Sequence, residues 1–172
     1  MLTLALLRHA KSSWDEPGLD DFDRPLNDRG ETAAPVVGGA LAETGFRADL
    51  ILCSPATRTR QTLERAAPAF VGPAARLVYD ERLYLASAAE ILRIIGATAL
   101  GPQSLLVIGH NPGLHTLALN LAGVGSAADI GRLTDKFPTA GLVLLTFETS
   151  VWGEVRAGDG RLEAFITPKS LR

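Results

Sequence analysis

The tripeptide Arg8-His9-Ala10 closes a short apolar run, Leu2 to Leu7. Histidine is the side chain that can be neutral and nucleophilic near pH 7, and a neighbouring arginine binds anions while disfavouring the imidazolium form. Two further segments repeat the design. Cys53-Ser54-Pro55-Ala56-Thr57-Arg58 follows the apolar Leu50-Ile51-Leu52, and His110 follows Ile108-Gly109 and precedes Asn111-Pro112. Two histidines and two arginines set beyond apolar runs point to histidine-based chemistry on a phosphate.

Apolar runs this short, ending in charged or titratable residues, are buried strands that deliver those residues to a sheet edge. They recur at Leu2–Leu7, Leu50–Cys53, Leu105–Ile108, Leu142–Phe147 and Leu162–Ile166, with a shorter one at Arg76–Tyr79. Helical patterns separate the first three. The expected fold is therefore α/β, a three-layer α/β/α sandwich around a mostly parallel central sheet. The last two long runs flank Gly153 and the turn-rich Ala157-Gly158-Asp159-Gly160, so they should form an antiparallel edge.

Local chemistry marks the helix starts. Ser54-Pro55 and Asn111-Pro112 each set a capping residue before a proline suited to the first helical position. Ser87-x-x-Glu90 is a capping box ahead of Ile91, Leu92 and Ile95. An earlier helix is expected from Asn27-Asp28 to Gly45, with Val36, Val37, Ala40 and Leu41 toward the core and Pro35 inside it. Pro68 and Gly72-Pro73 should end the helix that carries Arg58 and mark a loop. In a wound sheet, ligands bind beyond the carboxyl ends of the strands, near helix N-termini that favour anions. A parallel arrangement there brings Arg8-His9, Arg58 and His110 to one edge.

Composition narrows the alternatives. A chain of 172 residues, 47% hydrophobic, suits one domain over residues 1–172 with a sizeable core. A net charge of −2 and a pI near 5.9 argue against a nucleic-acid binder. No apolar stretch reaches the ~18 residues that span a bilayer, and the first run is too short for a signal-peptide core. Cytoplasm, no membrane contact and a monomer are the expectations. Cys53 is the sole cysteine, which excludes an intramolecular disulfide and suits a small buried residue. A cysteine-dependent phosphatase loop needs arginine six positions after the cysteine, where this chain has Thr59. The three histidines lack ligand-like spacing, and His115, five residues past His110, is poorly placed to share a metal. Phosphate-binding nucleotide motifs are missing too, so neither metal nor cofactor is expected.

Four segments together carry a resemblance: Leu6-Leu7-Arg8-His9-Ala10-Lys11-Ser12, Arg24-Pro25-Leu26-Asn27-Asp28-Arg29-Gly30, Ser54-Pro55-x-x-Arg58-x-x-Gln61-Thr62 and Gly109-His110-Asn111-Pro112. In this order they resemble the histidine phosphatase superfamily, and within it the short phosphohistidine phosphatases of SixA type. The likeness spans Leu2 to about Phe147, with one departure, Ala10 where glycine usually follows the histidine. It implies a phosphoglycerate mutase-like fold and a metal-independent phosphatase in which His9 becomes transiently phosphorylated. Arg8 and Arg58 are then the forks for the phosphate oxygens, and His110 a donor to the transferring group.

Three positions keep two readings each. Arg24 either reaches the phosphate or braces its loop through Asp20, Asp21 or Asp23. Glu81, in Asp80-Glu81-Arg82-Leu83-Tyr84, is either the acid that protonates the leaving group or a surface carboxylate paired with Arg82. Trp14 lines the pocket mouth or packs its loop. The substrate implied is a phosphorylated histidine-containing protein. The alternatives are a small phosphate ester, turned over by the same chemistry, and a non-catalytic module that binds a phosphorylated partner. The stretch Glu64 to Ser104 leaves little room for the lid that mutase-type relatives close over small substrates, which favours hydrolysis.

Overall fold

A computed structural model describes residues 1–172. Seven strands form one sheet: β1 (Leu2–Arg8), β2 (Ala48–Cys53), β3 (Val71–Tyr79), β4 (Ser104–Gly109), β5 (Ala122–Gly125), β6 (Leu142–Phe147) and β7 (Gly160–Ile166). Their spatial order is β3-β2-β4-β1-β6-β7-β5. The pairs β3·β2, β2·β4, β4·β1 and β5·β7 are parallel, whereas β6 runs antiparallel to both β1 and β7.

Alternation along the strands splits the core in two. On β1, Leu2, Leu4 and Leu6 join one cluster and Ala5 and Leu7 the other, all at most 1% exposed. The first cluster takes its cover from α3 (Ala88–Gly96), α4 (Gly113–Leu121) and α5 (Ala127–Asp135). The second is covered by α1 (Asp28–Glu43) and α2 (Thr57–Ala66). A strand buried on both faces must be continuously apolar, which is why β1, β2 and β4 stand out in the sequence. No helix is long and apolar enough to cross a membrane.

The register decides where the strands deliver their ends. Arg8 pairs with Gly109, and Cys53 with Ile108. One step further, the His9 amide donates to Gly109 O and the Ser54 amide to Ile108 O. Three apolar strands thus stop at one level, and their next residues are His9, Ser54 and His110.

Several local expectations are corrected. Gly72-Pro73 does not mark a loop: it lies inside β3, an edge strand, where a proline deprives no neighbour of a hydrogen bond. The β2–β3 register slips there, between the pairs Ala48–Val71 and Leu50–Arg76. β5, an Ala-Gly-Val-Gly segment without usable periodicity, gives no strand signal in the sequence and lies outside β7. α2 starts at Thr57 and α4 at Gly113, each later than the Ser-Pro and Asn-Pro signals suggest. The Asn111 side chain donates to Phe137 O instead of capping α4.

α1 is capped by the Asn27 side chain, which accepts from Gly30 N at 3.0 Å, and it continues through Pro35. Its buried stripe is Ala34, Val37, Gly38 and Leu41, the i, i+3, i+4, i+7 face of a helix. Val36 is therefore exposed, not core. Gly38 lets α1 approach α2 closely, since a Cβ at that position would stand 2.4 Å from Ala66 O. Gly38→Ala should accordingly lower stability by about 1–3 kcal/mol through overpacking, although alanine is the better helix former. Urea denaturation measures this, and unchanged or higher stability would contradict the close approach.

Candidate active site

His9, Arg8, Arg24, Arg58 and His110 all line one cleft of about 230 Å³ at the carboxyl ends of β1, β2 and β4. His9 is held first through its backbone, whose amide bonds to β4 and whose carbonyl accepts from Ala140 N. Its ring is then fixed by Nδ1–H, which donates to the Ala10 carbonyl at 2.8 Å. A carbonyl only accepts, so the neutral ring carries its proton on Nδ1 and keeps the lone pair on Nε2. Nε2 has no protein partner. Burial, with Arg58, Arg8 and Arg24 adding to it against the bond to Ala10, lowers the His9 pKa to about 4. At pH 7 the ring is a neutral base with its nucleophilic nitrogen free.

Each arginine is anchored on one side. Arg8 donates through Nη1 to Phe137 O, and no protein group accepts from its Nη2. Arg24 donates from Nε to Asp21 and from Nη1 to Ser12 Oγ and Ser13 O, again with no partner on Nη2. Its guanidinium lies 3.5 Å from the centroid of the Trp14 ring. Arg58, only 3% exposed, donates from Nη1 to Asp21 O and from Nη2 to Asp21 Oδ2. The Nε–H groups of Arg8 and Arg58 are buried without a partner, a state that folded proteins seldom keep outside functional sites.

Asp21 links this array. Its carboxylate accepts from Arg24, Arg58 and the Tyr84 hydroxyl. Those donors, Tyr84 foremost, lower its pKa to about 2 against the raising effect of burial. His110 completes the wall. Its Nδ1 accepts from Arg58 Nη2 at 3.4 Å, so the proton sits on Nε2 and is donated to Ser54 Oγ at 2.8 Å. Burial above all, then Arg58, lowers its pKa to about 3. The two imidazole centroids are 5.4 Å apart.

The sequence-based candidates fare unequally. Arg24 lines the cleft and also braces its loop through Asp21. Trp14 likewise lines the cleft and packs on Arg24. Glu81 is not brought together with the others: it is exposed in the 3-10 turn Glu81–Leu83 and is not among the residues lining the cleft. The Asp80 carboxylate accepts from the Arg82 amide and guanidinium, which shapes that turn and sends Leu83 into the core. Tyr84 and Leu85 approach the site in its place, and Arg82 pairs with Asp80, not with Glu81. His115 is peripheral, its Nε2–H donating to Leu133 O. Cys53 is buried, and burial raises its thiol pKa to about 12. Lys11, Ser12, Asn111 and Thr139 also line the cleft, a role that the sequence does not mark for them. Only their closeness to the marked histidines could have signalled the first three. Thr139 arrives on a loop whose place depends on β6 pairing with β1.

Comparison with known proteins places these features in a family. Residues 4–84 match the family model of the histidine phosphatase superfamily (branch 1). An uncharacterized protein of Mycobacterium tuberculosis is 38% identical over 165 residues, covering 95% of this chain and all of that one. The solved structure of a candidate phosphohistidine phosphatase SixA from Agrobacterium tumefaciens is 33% identical and superposes with a TM-score of 0.81, over 97% of this chain and 98% of that one. A second candidate SixA structure, from Nakamurella multipartitia, is 27% identical with a TM-score of 0.83, over 97% and 96%.

The protonation state of His9 is directly measurable. Its pKa of about 4 lies below the ordinary histidine value, so the neutral form persists as pH falls from 7 to 5. Nitrogen-resolved NMR should find the ring neutral with the proton on Nδ1 over that range, and titrating near pH 4. A midpoint near 6.5 would mean that neither burial nor the arginines act on the ring.

Proposed function

The chain belongs to the histidine phosphatase superfamily, as a phosphatase of SixA type, and on that premise we propose that it removes phosphate from phosphohistidine on a protein through a covalent intermediate on His9. In the first step the Nε2 lone pair attacks phosphorus in line with the bond to the departing nitrogen. A new N–P bond forms as the old one breaks, and the old bonding pair stays with the leaving imidazole. In the second step water attacks the same phosphorus, the bonding pair returns to Nε2, and inorganic phosphate leaves. Arg8, Arg24 and Arg58 face the equatorial oxygens, whose charge must be held throughout. These forks supply the positive charge in this reading, and no metal is required.

His110 serves as a donor only through Nδ1, because Nε2 is held by Ser54. When phosphate draws Arg58 away from Nδ1, the imidazole proton can shift to that nitrogen. Ser54 then reverses from acceptor to donor, which a hydroxyl can do without moving.

The observation that carries the substrate is the lack of any carboxyl group among the residues lining the cleft. Glu81 stands outside it, and Asp21, held to a pKa of about 2, is ionised at neutral pH. An alkoxide leaving group needs a proton in the transition state. A phosphorylated imidazole that carries a proton on its other nitrogen departs as neutral imidazole and needs none. The site's chemistry therefore favours phosphohistidine over alkyl esters.

Phosphate release should fall by about a thousandfold or more in His9→Ala and persist in Cys53→Ser. Acid-labile, base-stable phosphate should be trapped on His9 after rapid quenching, and chelators should change nothing. Full activity in His9→Ala, or a dependence on divalent cation, overturns the mechanism. Glu81→Gln should match the parent on a phosphohistidine protein and on an alkyl phosphate alike. Turnover of small esters far above every phosphohistidine protein tried would instead mark a small-molecule phosphatase. Phosphate binding without release in the unaltered protein would mark a binding module.

A further inference from the structure

A second concavity continues from the cleft across the outer face of α1. At about 530 Å³ it is more than twice the volume of the His9 cleft, and both include Lys11 and Thr139 in their walls. Val36 and Leu171, 49% and 40% exposed, give it an apolar floor. Lys11 and Arg29 stand exposed at its rim, and neither forms an ion pair within the chain.

Folding explains neither Arg29 nor Val36. Arg29 is the second residue of α1, where a cation faces the positive end of the helix dipole and is unfavourable. Val36 lies off the buried stripe of the same helix. Asp28 is the one acidic side chain lining the groove, against Lys11, Arg29 and Arg172, so in a protein of net charge −2 the rim's excess of basic side chains around an apolar floor is a local arrangement.

We infer that this groove docks the protein whose phosphohistidine enters the cleft, taking a surface on which carboxylates surround an apolar side chain. The inference rests on the phosphoprotein reading given above and adds where the substrate's body is held. Continuity through Lys11 and Thr139 lets one partner fill both concavities, and unlike charges steer it into register. A small ester reaches only the cleft.

The test is the double variant Arg29→Glu, Val36→Asp, both at exposed positions of α1 away from the cleft lining. The probes are a histidine-containing phosphocarrier protein charged with phosphoramidate, and phosphoimidazole as the small substrate. The variant's kcat/KM on the phosphocarrier should drop about tenfold or more, through KM, and that on phosphoimidazole should stay within about twofold. The unaltered protein's preference for the phosphocarrier should also weaken with salt. If that preference exists and the variant keeps it, the groove assignment falls alone. If the unaltered protein shows no preference, the phosphoprotein reading falls and takes the groove with it. Equal losses on both probes would mean damage to the cleft and refute docking. A concentration-dependent dimer abolished by the variant would give the groove to a second copy.

Discussion

The hydrogen bonds that carry β1 one residue past its last paired position hold the site together. The His9 amide bonds to Gly109 on the β4 side, its carbonyl accepts from Ala140 on the β6 side, and the Ala10 amide donates to Thr62 Oγ1 on α2. Thr62 in turn donates to the carbonyl of Arg58. One threonine thereby fixes the turn after His9 and the turn of α2 that carries Arg58. The Lys11–Leu26 segment folds back through an antiparallel bridge at Ser12 and Leu26, and Gln61 accepts from the Leu26 amide. Everything facing the cleft is referenced to the end of one central strand.

That frame brings three guanidinium groups together at one cleft. Like charges brought together in a partly buried site repel, and the chain answers with Asp21, whose carboxylate spans Arg24 and Arg58. Burial first, and these charges second, keep both imidazoles unprotonated at neutral pH, so no further cation adds to the crowd. Phe137 O, accepting from both Arg8 and Asn111, anchors the opposite wall. The cleft is strongly cationic yet balanced at its edges, leaving donors such as Nη2 of Arg8 and Arg24 for an anion.

Much of this is legible in the sequence. The double-sided burial of β1, β2 and β4 imposes uninterrupted apolar runs, and the residues ending those runs are the ones that meet in the cleft. Single-faced or marginal elements were harder. β5 has four residues and no alternation, and β3 tolerates a proline because an edge needs fewer bonds. Val36 was misplaced because an apolar residue next to Val37 falls on the other side of the helix. The Glu81 segment shows a different limit. Sequence brought the right turn to the site, but one side-chain pair, Asp80 with Arg82, decides which residue of that turn looks inward. Asp21 was one of three neighbouring carboxylates, and only the fold tells which meets Arg58.

The buried state of Cys53 has a consequence for the conditions under which such a site can work. Its sulfur is fully covered between β2 and its neighbours, and a thiol held near a pKa of about 12 presents almost no thiolate at neutral pH. Peroxides and alkylating reagents act on exposed thiolates. The only other sulfur is the thioether of Met1, at the opposite end of β1 from the cleft. A cleft lined by ring nitrogens and guanidinium groups beside so inert a thiol offers an oxidant no reactive sulfur, unlike a site that depends on a thiolate.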